Sequence, residues 1–366
     1  MRTVCSIILL MFLPQAGVHA KGLGKTFVAA DHPFIQYEGR WERTDPLHPK
    51  FSWPGVSVSA EFSGTTIGII LIDCTNYYNV SIDGAFHGVF HPGKPGEAEY
   101  ILADHLERGH HSILLSRRNI TFDEIYSFCG FILDEGEQLL KPNAPLKRRI
   151  EFIGDSFTAG ESNETTEQSL PWEARYPVTN SDKGFAVRIA NHFQARYMLT
   201  CRSGSGMVCD WRGDPQQSLP IRYRRTFMDS DKFQWDFSQW VPEVVIICLG
   251  LNDFSGLKDS LGRVPEKNSE LFRTTYRRFI GTVRSVYPHV TIVAVAAFPE
   301  WIRTQVRKVV DGEIHSGKND VFYTQFDEFP GGYVGNGHPT VETHKKMADQ
   351  IIASLKSFHV FDPALK

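Results

Sequence analysis

The sequence has no excess of either charge and no basic block: 39 Lys and Arg stand against 42 Asp and Glu in 366 residues. The electrostatic footprint of a nucleic-acid binder is therefore missing, and a neutral partner is expected. Beyond the first twenty residues no run is apolar for long enough to cross a bilayer, so stable membrane insertion is not expected. Cysteine is scarce. Past residue 20 there remain Cys74, Cys129, Cys201, Cys209 and Cys248, an odd number that cannot complete a disulfide framework. Most are expected as buried thiols. Cys201 and Cys209 flank one Gly-rich turn and are candidates for a bridge, although spacing alone does not establish Cα proximity. Internal repeats and low-complexity tracts are also lacking.

At the amino terminus, Arg2 supplies a small positive region, Ile7 to Leu13 an apolar core, and Val18-His19-Ala20 a small-residue cleavage site. The apolar run is shorter than the roughly 20 residues of a membrane anchor. Residues 1–20 are thus expected to act as a signal peptide, cleaved near Ala20, with a secreted or periplasmic product. Asn79, Asn119 and Asn163 each head a glycosylation sequon, relevant only in a host that glycosylates.

The remainder divides by texture. From 27 to 140 short alternating apolar runs are separated by turn residues, as in Val56–Phe62, Thr66–Ile72 and Ser112–Leu115, which predicts an antiparallel β-sandwich. Asp83-Gly84 between strand-like Tyr78–Ile82 and Phe86–Phe90 predicts a hairpin. A linker with Lys141, Pro142, Pro145 and basic residues 147–149 follows. From 147 to 360 strands and helices alternate, as expected of an α/β domain with a parallel sheet. Val244–Leu249 reads as a strand buried on both faces, Glu270–Val286 as a helix and Val290–Phe298 as the next strand.

Three short motifs carry the candidate chemistry. Gly154-Asp155-Ser156 ends a predicted strand, which places Ser156 at the carboxyl edge of the sheet, where open α/β folds bind ligands. A serine hydroxyl is a weak nucleophile without a base. Gly250-Leu251-Asn252-Asp253 ends the second apolar strand, and an Asn amide there can donate to an oxyanion, or the Asn-Asp pair can satisfy its own loop. Gly335-Asn336-Gly337-His338 precedes a predicted helix over Val341–Leu355. His338 has the right chemistry for a base acting near neutral pH.

In this order the motifs resemble the SGNH (GDSL-like) hydrolase superfamily: Ser156, the Gly204 region, Asn252 and His338 match its four blocks. The chain is more specifically similar to carbohydrate esterase family 2. Gly39-Arg40, Phe51–Gly55, Phe62–Thr65, Val80–Gly84 and Leu106–His110 resemble that family's jelly-roll domain. The resemblance implies an acyl-enzyme mechanism with Ser156 as nucleophile, His338 as base, and an oxyanion hole built from the Ser156 N–H, a glycine N–H and Asn252. It requires no metal or organic cofactor for the reaction. The glycine is Gly204, or alternatively Gly206. An acetylated polysaccharide or oligosaccharide, xylan or mannan among them, is the implied partner.

One position departs from the family pattern. The acid that commonly precedes the histidine is replaced by Gly335 and Asn336, so the resemblance implies a Ser-His dyad oriented by a backbone carbonyl. Asp327 and Glu328 are the nearest upstream acids. Trp172, Trp211, Trp235, Trp240 and Trp301 lie in the second half, and Trp211, close to the glycine block, is the candidate sugar platform. Two other readings remain: a carbohydrate-binding protein without turnover, and a short-chain lipase-type esterase.

Overall fold

The computed structural model describes residues 24–361; the expected signal peptide lies outside the described residues. Two antiparallel sheets form the first half. One orders Lys25–Ala29, Tyr126–Asp134, Ile67–Ile72 and Glu97–Ala103, with Lys50–Phe51 pairing the second of these. The other orders Leu139–Leu140, Ser57–Gly64, Gly109–Arg117, Tyr78–Ile82 and Ala85–Phe90, with Gln36–Glu38 on Ser57–Gly64. Alternation places Val58, Ala60 and Phe62 between the sheets, together with Ile69, Phe128 and Phe131 of the opposite layer. Asp83 (φ 52°) and Gly84 (φ 75°) form the expected two-residue turn, which needs left-handed backbone at both positions.

The second half is a five-stranded parallel sheet in the order Ala195–Cys201, Arg148–Gly154, Val244–Cys248, Thr291–Ala296, Val321–Gln325. Val244–Cys248 is buried at every position, as its unbroken apolar run requires. Helices Phe185–His192, Glu266–Val286, Glu300–His315 and Val341–Ser357 cover it. The long helix begins at Glu266, four residues before its expected start, because Pro265 serves as its N-cap. Thr340 caps the last helix, its hydroxyl accepting from Thr343 N–H at 3.1 Å.

The halves are joined through buried contacts. Arg40 and Glu151, both 0% exposed, form an ion pair at 3.1 Å, and Arg40 also donates to the Tyr223 and Arg225 carbonyls. Trp53 leaves the sandwich to pack in the core of the α/β domain, with its indole N–H on Thr226 O at 2.9 Å.

Several expectations are corrected. Cys201 and Cys209 are both free, without a bridge; as expected, most of the thiols are buried, Cys74 being the exposed one. The sequon asparagines are interior: Asn79 bonds Asn180 and Asp182, Asn119 accepts from Tyr77 N–H, and Asn163 donates to Asn180 O. Their amide nitrogens are not presented for glycosylation.

Candidate active site

The strand order reverses at Arg148–Gly154, and the three loops leaving this part of the sheet's carboxyl edge carry Ser156, Gly204 and Asn252. Asp155 N-caps the single helical turn Ser156–Ala159, accepting from Phe157 N–H at 3.0 Å. Ser156 is the first helical residue, so its own N–H has no acceptor within the helix. Asp155 is completely buried, and that burial pushes its carboxyl up to about 7.

The Asn252 amide donates to Ser205 O at 2.9 Å and to Asp155 Oδ2 at 3.3 Å, which fixes its plane beside the serine loop. Of the two candidate glycines, Gly206 uses its N–H on Cys209 O at 2.8 Å. A Cβ on Gly206 would meet Asp253 Oδ2 at 2.4 Å, so close backbone approach accounts for that glycine. Gly204, at φ 80°, has no acceptor for its N–H among the described residues.

Asp253 is a site residue that sequence reasoning passed over. Its carboxylate accepts from the N–H groups of Met207, Val208 and Cys209 at 2.7, 2.6 and 3.3 Å, tying the loop after Gly204 to the loop carrying Asn252. The Asn-Asp pair does satisfy backbone, but the backbone of a different loop. Burial pushes the Asp253 carboxyl up to about 6 against these three donors.

His338 stands in a two-residue strand paired with Tyr333–Val334, and its Nδ1 lies 2.6 Å from Gly335 O. Gly335, Asn336 and Gly337 have φ of 49°, 70° and 89°, and this left-handed run curls the carbonyl back onto the imidazole. Glycine and asparagine are the residues that enter this region at least cost. The Asn336 side chain points elsewhere, accepting from Leu170 N–H at 2.9 Å and donating to Ser169 Oγ at 3.1 Å. The single-turn helix at Ser156 packs on the His338 strand, and the Phe157 ring meets His338 edge-on at 6.2 Å. Among the described residues Ser156 and His338 make no direct hydrogen bond; such bonds commonly tighten only with substrate.

The acid beside the histidine is Glu161, which the sequence reading did not single out. It is 2% exposed, its Oε1 lies 3.8 Å from His338 Nε2, and Arg175 donates to the same oxygen at 2.8 Å. Arg175 in turn lies over Trp172 at 4.9 Å. Asp327 instead bonds Gln350, and Glu328 is exposed. Trp211 is 57% exposed and faces Gly204: a Cβ on that glycine would lie 3.3 Å from Trp211 Cδ1. Trp235 and Trp240 are buried, while Trp301 donates to Ser269 at 3.0 Å. A cavity of about 630 Å³ between the halves, lined in part by Tyr37, Trp41, Arg43 and Phe233, contains none of the motif residues.

The fold, with the family matches that follow, makes this a carboxylic ester hydrolase of the GDSL type. Two family models cover most of the chain: Carbohydrate esterase 2 N-terminal over residues 37–142, and GDSL-like Lipase/Acylhydrolase family over residues 152–346. The chain belongs to carbohydrate esterase family 2. It is 31% identical over 336 residues to the cellulase/esterase CelE of Acetivibrio thermocellus, covering 89% of this chain but only 40% of that protein. It is 26% identical over 358 residues to an acetylxylan esterase / glucomannan deacetylase of Cellvibrio japonicus, covering 90% of each. A family two carbohydrate esterase from Clostridium thermocellum, solved in complex with cellohexaose, superposes with a TM-score of 0.78 at 30% identity, covering 88% of this chain and 98% of that one.

Proposed function

We propose that the protein is a secreted esterase that removes O-acetyl groups from plant polysaccharides such as xylan or mannan, or from their oligosaccharides. In this reading His338 Nε2 takes the Ser156 proton, Ser156 Oγ attacks the acetyl carbonyl, and the sugar alkoxide leaves with the proton from His338. A water molecule, deprotonated by the same nitrogen, then releases acetate from the serine. The Ser156 and Gly204 N–H groups stabilise both oxyanions, joined by the Asn252 amide as it turns one N–H from its long 3.3 Å contact with Asp155 Oδ2. Gly335 O holds the Nδ1–H tautomer, and Glu161 offsets the positive charge that forms on the imidazole. Trp211, exposed beside Gly204, offers an aromatic face to a pyranose ring.

The observation that carries this proposal is the 2.6 Å contact between His338 Nδ1 and Gly335 O, because it orients a base without a neighbouring Asp. The glycan assignment draws support from the relatives, one named for acetylxylan and glucomannan deacetylation and one solved with cellohexaose. Secretion rests on residues 1–20. The test is acetate release from regiospecifically acetylated xylo- and manno-oligosaccharides, with positions resolved by NMR. Wild type should release acetate while Ser156→Ala does not. Glycan binding without hydrolysis would favour the binding-protein reading, and undiminished activity on longer acyl chains the lipase-type one.

A further inference from the structure

Away from the active site, one edge of the sandwich gathers a histidine, a carboxylate and a thiol. His48 lies in the segment between Gln36–Glu38 and Lys50–Phe51, Glu97 begins the strand Glu97–Ala103, and Cys129 lies within Tyr126–Asp134. Their meeting follows from register. Lys50 and Phe51 pair with Ser127 and Tyr126, and Pro49 O accepts from Phe128 N–H at 3.1 Å, which carries His48 to the level of Cys129. The ladder against Ile67–Ile72 shifts register between Phe128 and Gly130, leaving Cys129 in a bulge, a device that re-aims a side chain.

A His48 ring nitrogen, a Glu97 carboxylate oxygen and Cys129 Sγ all lie within 4.8 Å of one another, with His48 Nε2 and Glu97 Oε2 at 3.9 Å. The other ring nitrogen, Nδ1, is 2.9 Å from Asp45 Oδ2. A carboxylate behind a histidine fixes the Nδ1–H tautomer and leaves the Nε2 lone pair available to a metal. Imidazole, thiolate and one carboxylate form an N, S and O set of the kind Zn²⁺ accepts, whereas Ca²⁺ and Mg²⁺ call for oxygen ligands throughout.

We propose that His48, Glu97 and Cys129 form a binding site for one Zn²⁺ ion that clamps the segment from 39 to 50 onto the sandwich, with water as fourth ligand. Thiolate and carboxylate together balance the charge of the cation, and the Cys129 proton is released to solvent as sulfur binds. The ion would be structural. None of its ligands belongs to the loops that carry Ser156, Asn252 or His338.

Mature protein stripped with a chelator should bind one equivalent of Zn²⁺ by calorimetry, and its melting temperature should rise on binding. Co²⁺ should give a thiolate charge-transfer band and the visible spectrum of a tetrahedral site. Asp45→Asn should weaken binding about 10- to 100-fold, the range for an outer-shell partner. His48→Ala and Glu97→Gln, at partly or fully exposed positions, should weaken it further and keep the test valid if Cys129→Ser fails to fold. Absence of saturable binding, a Co²⁺ spectrum without the thiolate band, or equal affinity in His48→Ala would overturn the proposal.

Discussion

His338 reaches Gly335 O through its Nδ1 at 2.6 Å, while Asn336, lying between them in sequence, turns its amide to Ser169 and Leu170. The expected consequence is a sharp contrast between neighbours. Asn336→Ala should keep turnover within a few-fold, its main effect a loosened 165–172 loop, whereas His338→Ala should be nearly inactive. An acid at 336 would face the same loop and not the imidazole. Because Ala strains the left-handed backbone at φ 70°, Asn336→Gly is measured beside it, with circular dichroism to confirm the fold: a severe loss of turnover in Asn336→Gly would mean that the amide orients the histidine after all.

Glu161 stands on the Nε2 side of the ring and is shared with Arg175. Glu161→Gln removes a negative charge near the imidazole and leaves Arg175 unbalanced, and both changes disfavour imidazolium. The acidic limb of the kcat/KM profile should therefore move to lower pH. A purely structural Glu161 would lower the melting temperature and leave the limb in place.

Asn252→Ala should reduce kcat by roughly 100- to 1,000-fold, the range for one lost oxyanion donor. KM should change little. Weakened substrate binding at unchanged kcat would make Asn252 a positioning residue.

His344, on the last helix and wholly buried, accepts from Phe185 N–H at 3.3 Å. Burial, then the Arg188 and His338 charges, push its imidazole down to about 3. An unfolded histidine titrates near 6.5, so protons favour the unfolded chain below that pH. The stability from neutral His344 is fully present above about 6.5 and is lost as pH falls toward 3. Melting temperatures measured from pH 7 to pH 4 should fall less steeply in His344→Gln than in wild type; parallel curves would count against this account.

Removing one side of the buried Arg40–Glu151 pair leaves the other charge stranded, since Arg40 is 0% exposed. Arg40→Met should cost about 3–5 kcal/mol in denaturant unfolding, and Arg40→Met with Glu151→Leu should recover part of it. A double variant no more stable than the single one would locate the loss in the other partners of the pair, the Tyr223 and Arg225 carbonyls on Arg40 and the Thr200 and Tyr223 hydroxyls that donate to Glu151.

Much of this fold was legible because its patterns are local. The all-apolar Val244–Cys248 strand, the Asp83-Gly84 turn and the helix after Thr340 each follow from neighbours in sequence. The order of Ser156, Asn252 and His338 could be read because each follows the end of a strand or a Gly-rich turn. What could not be read depends on chain return. Glu161 meets a ring 177 positions later, and only a lone acid among the small residues 158–163 hinted at a role. Asp253 serves a loop more than 40 residues upstream, where local turn chemistry offered a sufficient reason for an acid.

Trp53 bears on how this chain can be cut and recombined. Its ring belongs to the interior of the second half, although its codon lies in the first. A gene fragment starting in the 141–147 linker would begin at a plausible boundary and still encode a domain with an indole-sized hole in its wall. The portable module is the pair, and recombination that preserves function has to move both halves together.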